Sequence, residues 1–230
     1  MNKSDLCRWL HERLEQLPAY QFPIDINALP ENGIYFLYEK EEIWGHGEGK
    51  PRIVRVGTHT GDGNFKSRIR EHFLLGDVKI NISTPRPSDR SIFRKNIGRA
   101  LLKKRQEGYF DIWDVDMTSR RKREAYANKR DIEKEISLEQ EITDIIRNNF
   151  SFRFIKVDDG QERLKLEKQL IGTISGCSLC QPSKDWLGKY SPKEEIRRSG
   201  LWLVHHVFCG EEIECEKVDE YIAETLNILK

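Results

Sequence analysis

Gly33-Ile34-Tyr35-Phe36-Leu37-Tyr38-Glu39 opens the stretch that decides the fold; after a glycine-punctuated loop come Pro51-Arg52-Ile53-Val54-Arg55-Val56-Gly57-Thr58-His59 and then Asn64-Phe65-Lys66-Ser67-Arg68-Ile69-Arg70-Glu71-His72-Phe73. Ile34, Phe36 and Tyr38 alternate with Tyr35 and Leu37, and Ile53 and Arg55 alternate with Val54 and Val56, the period of half-buried strands. Gly45, Gly47 and Gly49 between them supply a permissive backbone, so an antiparallel hairpin with a long loop is the economical connection. Asn64 is placed to cap a helix that Gly76 ends, with Phe65, Ile69, His72 and Phe73 on one side of it. Arg68 and His72 then project from neighbouring turns of one face.

Upstream of this stretch, Leu6, Trp9, Leu10, Leu14 and Leu17 recur at helical spacing until Pro18, which predicts an amphipathic helix over 4–17 that packs on the core or docks a partner. Pro23 and Pro30 mark an irregular lead-in. Downstream, the proline-bearing segment 81–90 reads as loop. A helix over 91–105 follows, with Phe93, Ile97, Ala100 and Leu101 on one face and Arg94, Lys95, Arg99 and Lys103 as a basic stripe. Between Arg86 and Arg105 eight basic residues face only Asp89. Such a stripe suits phosphate oxygens, because each neutralised backbone charge releases counterions, or it is a solvated helix face. Arg120 to Arg123, with Lys129 and Arg130, form a second basic cluster. Ser137-x-x-Gln140 has capping-box form, so a helix is predicted to start at Ser137, followed by a strand over 151–157 and a core helix over 162–175. From Glu211 to Glu220 six carboxylates face Lys217 alone, and an amphipathic helix through Tyr221, Ile222, Leu226 and Leu229 closes the chain. The divisions expected are a helix and lead-in (1–30), a main domain (31–210) carrying a helical insertion at about 85–150, and an acidic helical tail (211–230).

Of 230 residues, 33% are charged and the net charge is +1, so only local clustering bears on a nucleic-acid partner. The first residues lack the apolar core of a signal peptide and no run approaches the length of a membrane span; a cytoplasmic protein without membrane contact is the expectation. Five cysteines form an odd set for such a chain and argue against a disulfide framework. Cys177 and Cys180 have zinc-like spacing, with His205, His206, Cys209 and Cys215 downstream; the choice lies between a structural Zn²⁺ and buried reduced thiols. Trp186, Trp202 and Phe208 are either core aromatics or platforms for stacked bases. Glu167 carries a carboxylate among Leu164, Leu170, Ile171 and Ile174. An unpaired charge on an apolar face is costly, so either a divalent cation or an arginine, Arg55 or Arg68, must compensate it.

Gly33-Ile34-Tyr35, the strand ending Arg55-Val56-Gly57, the Arg68-x-x-x-His72 helix and the distant Glu167 occur in an order that resembles the GIY-YIG nuclease superfamily. The Arg-x-x-x-His spacing resembles its restriction-enzyme branch, and Ser91-Ile-Phe-Arg94, Pro182-Ser-Lys-Asp-Trp-Leu-Gly188 and Ser199-Gly-Leu-Trp202 resemble one uncharacterised bacterial branch. The resemblance implies an α/β fold with a small mixed or antiparallel central sheet flanked by helices. It also implies a metal-dependent DNA endonuclease of restriction, repair or defence type, with RNA the other substrate admitted and a homodimer the arrangement suited to two-strand cuts. On this resemblance Glu167 holds Mg²⁺ or Mn²⁺, Arg68 contacts the scissile phosphate, Tyr35 orients or deprotonates the attacking water, and His72 takes part in proton transfer.

Two departures from the pattern bear on chemistry. Arg55 stands where the second tyrosine of the name is expected, and Thr58 where many members carry lysine; Arg55 and His59 are the substitutes at hand. No asparagine after the acidic helix aligns with that of the restriction enzymes, and Ser183 and Asp185 are the nearby polar candidates. A catalytically silent nucleic-acid-binding module, or a protein-interaction domain using the acidic tail, is therefore the competing function.

Overall fold

A computed structural model describes residues 2–76 and 79–229. In chain order the elements are α1 (Lys3–Leu14), β1 (Tyr20–Gln21), β2 (Gly33–Ile43), β3 (Pro51–Gly57), α2 (Phe65–Phe73), α3 (Pro87–Arg90), α4 (Ile92–Lys104), α5 (Phe110–Asp114), α6 (Arg120–Tyr126), α7 (Ile132–Asn149), β4 (Phe150–Lys156), α8 (Gly160–Ser175), α9 (Glu194–Ser199) and α10 (Cys215–Ile228). The strands form one sheet in the order β1-β4-β2-β3, antiparallel at every pairing. The hairpin of β2 and β3 is as the alternation and glycines require, and β4 supplies the central partner of β2.

Helices cover both faces of this sheet, which is why β2 is buried at every position from Gly33 to Tyr38 rather than at alternate ones. On one face Tyr35, Leu37, Phe152 and Phe154 meet α2, α4 and α7 through Phe65, Ile69, Phe73, Phe93, Ile97 and Ile146. Ile34, Phe36, Tyr38, Ile53 and Val56 meet α1, α8 and α10 on the other through Leu6, Leu10, Leu14, Leu170, Val218 and Ile222. Phe65, Ile69 and Phe73 are fully buried, each contributing about 1.5–3 kcal/mol relative to an exposed side chain. The leucine stripe of α1 thus packs on the core, as does the apolar face of α10.

Several boundaries differ from the sequence expectations. The register of β2 against β3 slips between Leu37 and Tyr38, where Arg55 pairs with Leu37 but Ile53 pairs with Tyr38, so Val54 is an unpaired bulge residue. Simple alternation in β3 fails as a result: Ile53 and Val56 enter one core, Val54 enters the other, and the Arg55 guanidinium lies 5.6 Å from the centre of the Phe93 ring of that second core. Asn64 precedes α2 without a side-chain cap, because its amide donates to the Thr60 carbonyl, and the helix ends on Leu74 in the left-handed region (φ 52°) before Gly76 is reached. The helix predicted from Ser137 begins at Ile132, capped by the Asp131 carboxylate accepting from the Lys134 N–H; Ser137 sits inside it.

The glycines of the two signature strands are fixed by close approach. A Cβ on Gly57 would lie 2.2 Å from the Tyr35 hydroxyl oxygen, and one on Gly33 would lie 2.6 Å from the Ile155 carbonyl oxygen across the β2–β4 pairing.

Candidate active site

Tyr35 projects from β2 toward α2, and its hydroxyl oxygen lies 2.7 Å from His72 Nε2. Arg55 Nε donates to the same phenolic oxygen at 3.3 Å, and another guanidinium nitrogen donates to the Trp202 carbonyl. On its far side, His72 Nδ1 is 2.8 Å from Ser91 Oγ, which also accepts the Arg94 N–H as the cap of α4. Nε2 accepting the Tyr35 proton with Nδ1–H donated to Ser91 Oγ is the tautomer that gives the buried phenolic hydroxyl an acceptor; it is inferred from these partners. Burial holds the His72 pKa well below the usual histidine value, and Arg55, Arg68 and Arg94 press it further down, so the imidazole is neutral near pH 7.

Glu167 reaches the same edge of the sheet from α8. Its Oε1 accepts the Thr58 N–H at 3.0 Å, just past the end of β3. Burial pushes this carboxyl above the ordinary range, while Arg55, the Thr58 N–H and Arg68 pull it back. Among the described residues its charge is met by that backbone donor and by the field of the two arginines, and the direct arginine salt bridge weighed from sequence is not formed. Leu164, expected on its apolar face, is exposed.

Arg55 and Glu167 line a cleft of about 500 Å³ at the open side of β3, walled by α4 through Ile92, Asn96 and Arg99 and rimmed by Lys193, His205 and His206. One half-buried carboxylate beside water-accessible space fits a cation held by one or two carboxylates with waters and phosphate oxygens completing the shell. Arg68 is not among the cleft-lining residues; half-buried, it donates to Glu71 at 3.0 Å and to the Arg90 carbonyl at 3.3 Å and acts on Glu167 through its charge.

Other candidates are placed differently. His59 has both ring nitrogens engaged: Nε2 accepts the Gly33 N–H at 3.3 Å and Nδ1 donates to the Gly61 carbonyl at 2.8 Å. It therefore ties the loop after β3 to the start of β2 and has no nitrogen left for proton transfer. The basic stripe of α4 is not a solvent-facing row. Arg94 is fully buried, bonded to the Glu139 carboxylate at 2.7 Å, to Thr143 and to the His72 carbonyl; Lys95 is buried against Asp89 at 3.1 Å. Arg99 is bound to Asp114 and Asn96 but still lines the cleft. Only Lys103 is exposed, over the Phe110 ring. In the second cluster Arg130 is buried with Glu135, whereas Arg121 and Lys122 are exposed on α6.

Ser183 donates to Glu42 behind β2, and Asp185 is exposed outside the cleft lining. Trp186 and Trp202 are core residues whose indole N–H groups both donate to Glu39 Oε2, at 2.8 and 3.0 Å. Phe208 alone of the three aromatics is exposed. Sequence reasoning missed His205, His206 and Lys193 as cleft residues; the two histidines had been grouped with the cysteines, which instead gather elsewhere, Cys177 and Cys180 with Cys7 and His46. The acidic segment is not free: Glu211 and Glu214 pair with Lys168 and Lys165 on α8.

No helix among the described residues is long and apolar enough to cross a membrane. Neither a curated protein nor a solved structure gives a significant match to the chain. A GIY-YIG domain profile matches residues 5–227, a span that includes both signature strands, the Arg68 helix and Glu167 as well as α1 and most of α10. The chain belongs to the GIY-YIG family.

Proposed function

We propose that the chain is a metal-dependent endonuclease that hydrolyses phosphodiester bonds in DNA. The observation that carries this reading is the Glu167 carboxylate, half-buried at the cleft and held by the Thr58 N–H in place of an ion pair, with Arg55 acting on it through its charge and hydrogen-bonded to Tyr35 of the Tyr35–His72 pair. A Mg²⁺ or Mn²⁺ ion held by Glu167 would neutralise phosphate charge and lower the pKa of a bound water.

The chain's own residues supply the remainder. Hydrolysis adds a water oxygen to phosphorus, breaks the bond to the leaving oxygen and returns a proton to that oxygen. Arg55 donates to the Tyr35 phenol and His72 Nε2 lies within hydrogen-bond reach of the same oxygen, so the pair is held in one orientation, the arrangement a group needs to position an attacking water and pass on its proton. Arg68 and Arg55 bring two cations toward the phosphate, where preorganised charge is worth about 3–4 kcal/mol for a single donor. Lys193, His205 and His206 on the rim are positioned for flanking phosphates, in the role that Lys95 and Arg94 were expected to fill.

The test is conversion of supercoiled plasmid to nicked or linear forms with Mg²⁺ or Mn²⁺. Glu167→Gln keeps an oxygen for the Thr58 N–H and is expected to retain fold and DNA affinity while losing cleavage; wild-type levels of nicking by that variant would remove the metal role.

A further inference from the structure

Cys7 on α1, His46 in the loop between β2 and β3, and Cys177 and Cys180 just after α8 come from three separate parts of the chain, yet their Sγ and imidazole ligand atoms all lie within 4.8 Å of one another. Cys7 Sγ is 3.8 Å from Cys180 Sγ, and Cys177 Sγ is 3.4 Å from His46 Nε2. A tetrahedral zinc with Zn–S of about 2.3 Å and Zn–N of about 2.05 Å has ligand–ligand edges of about 3.8 Å between sulfurs and about 3.6 Å between sulfur and nitrogen. The Cys7–Cys180 and Cys177–His46 separations lie close to those edges, and every ligand pair falls within 4.8 Å. They do not match a disulfide, which needs sulfurs about 2.05 Å apart, and all three cysteines are free.

We propose that Cys7, His46, Cys177 and Cys180 form a closed Cys₃His structural zinc site that fastens α1 and the hairpin loop to the segment following α8. The ligand set is soft, which suits Zn²⁺ and not the hard cation of the nuclease reading. Four protein ligands also leave no open position for substrate. Its surroundings are built for a thiolate cluster. The Gly45 N–H points at Cys180 Sγ at 3.5 Å, the kind of backbone donor that stabilises bound sulfur. Gly45 itself is required there, since a Cβ would lie 1.8 Å from the Leu179 carbonyl oxygen, so the hairpin loop and the Cys-x-x-Cys turn press directly together. Trp44 is buried with the three sulfurs, with the His46 ring edge-on to it at 5.4 Å and the His11 ring tilted against it at 5.2 Å. His11 Nδ1 donates to the Cys7 carbonyl, 2.8 Å away, and its Nε2 accepts the Ile53 N–H at 3.1 Å, tying the cluster to β3.

This inference does not rest on the nuclease reading. The experiment is metal analysis of the full chain purified without chelator, followed by replacement with Co²⁺. The expected result is about one zinc per chain, and after replacement a sulfur-to-cobalt charge-transfer band with the intense d–d absorption of tetrahedral cobalt. Cys177→Ser with Cys180→Ser should abolish both, His46→Ala should weaken zinc retention against a competing chelator by at least about tenfold, and Glu167→Gln should leave zinc content unchanged. Cys7, Cys177 and Cys180 should be protected from a thiol reagent until the metal is withdrawn. A wild-type chain that holds no zinc as purified and gives no tetrahedral cobalt spectrum on loading overturns the site, independently of whether any variant folds. Undiminished zinc in the double serine variant overturns it equally.

Discussion

Glu39 shows how a single carboxylate records the cost of its surroundings. Burial pushes its pKa up to about 7, with Trp202 and Trp186 N–H groups and Arg52 opposing the rise. The folded state therefore binds a proton more tightly than the unfolded chain. Stability from this group is fullest below its ordinary value of 4.5 and declines as pH rises toward about 7. Glu39→Gln keeps an acceptor for both indoles, so it is expected to stabilise the protein by about 1–3 kcal/mol above pH 7, discounted for partial exposure, and by little near pH 4.5. Denaturant unfolding at the two pH values measures this; an equal effect at both would contradict it. Arg55 is the residue whose role is least like its sequence position suggested. Arg55→Ala removes the donor to Tyr35 and one cation from the cleft, and kcat for nicking is expected to fall about 10²–10³-fold with little change in DNA affinity. A loss confined to affinity would make Arg55 a binding residue only. The sequence made the placement of Tyr35 on a strand and of Arg68, His72 and Glu167 on helices legible, because strong strand and helix patterns run through them. It could not reveal that His59 is locked by two backbone groups, since those partners belong to loop geometry rather than to any residue spacing.

The elements follow the same logic. Although β2 from Gly33 to Tyr38 and β3 from Arg52 to Gly57 are buried at every position rather than alternately, the β2–β3 hairpin, α2 and α8 were readable from their apolar runs, the glycines between the strands and helical spacing. The bulge at Val54 was not, because no residue there signals it; a bulge is set by the register that packing imposes, and here it turns Arg55 toward Tyr35. The basic face of α4 misled for a different reason. Asp89 and Glu139, which neutralise Lys95 and Arg94, lie in other elements, Glu139 being 45 residues away on α7. Removing one partner of a buried pair leaves the other uncompensated, so Glu139→Ala is expected to cost about 3–5 kcal/mol of stability. Lys95→Ala should likewise lower the melting temperature without changing the salt slope of DNA binding, which electrophoretic titration at several salt concentrations checks; a flattened slope would return Lys95 to the phosphate interface. Gly57→Ala places a methyl against the Tyr35 hydroxyl and should cost about 1–3 kcal/mol as well as activity. Stability and nicking unchanged in that variant would mean Tyr35 has room to move.

Across the whole molecule, the two helical layers explain why a family signature of a few residues is spread over so much chain. Tyr35 and His72 lie on one face of the sheet and Glu167 on a helix covering the other; between them Arg55 of β3 donates to Tyr35 and acts on Glu167 through its charge, while Thr58, just past β3, donates to Glu167. The Cys₃His cluster holds the opposite end of the same hairpin against the segment that follows α8, so metal at that site would fix the hairpin relative to the helix bearing Glu167. Its members were only half visible in sequence: Cys177 and Cys180 announce themselves by spacing, whereas Cys7 is 173 residues from Cys180 and His46 is 131 from Cys177. The most direct measurement is the nicking of supercoiled plasmid by wild-type and Glu167→Gln protein at matched Mg²⁺ or Mn²⁺ and matched DNA binding. Metal-dependent nicking by the wild type that is lost in the variant, with affinity intact, is the predicted result. Equal nicking by both proteins, or none by a folded, DNA-bound wild type across the divalent series, would contradict it.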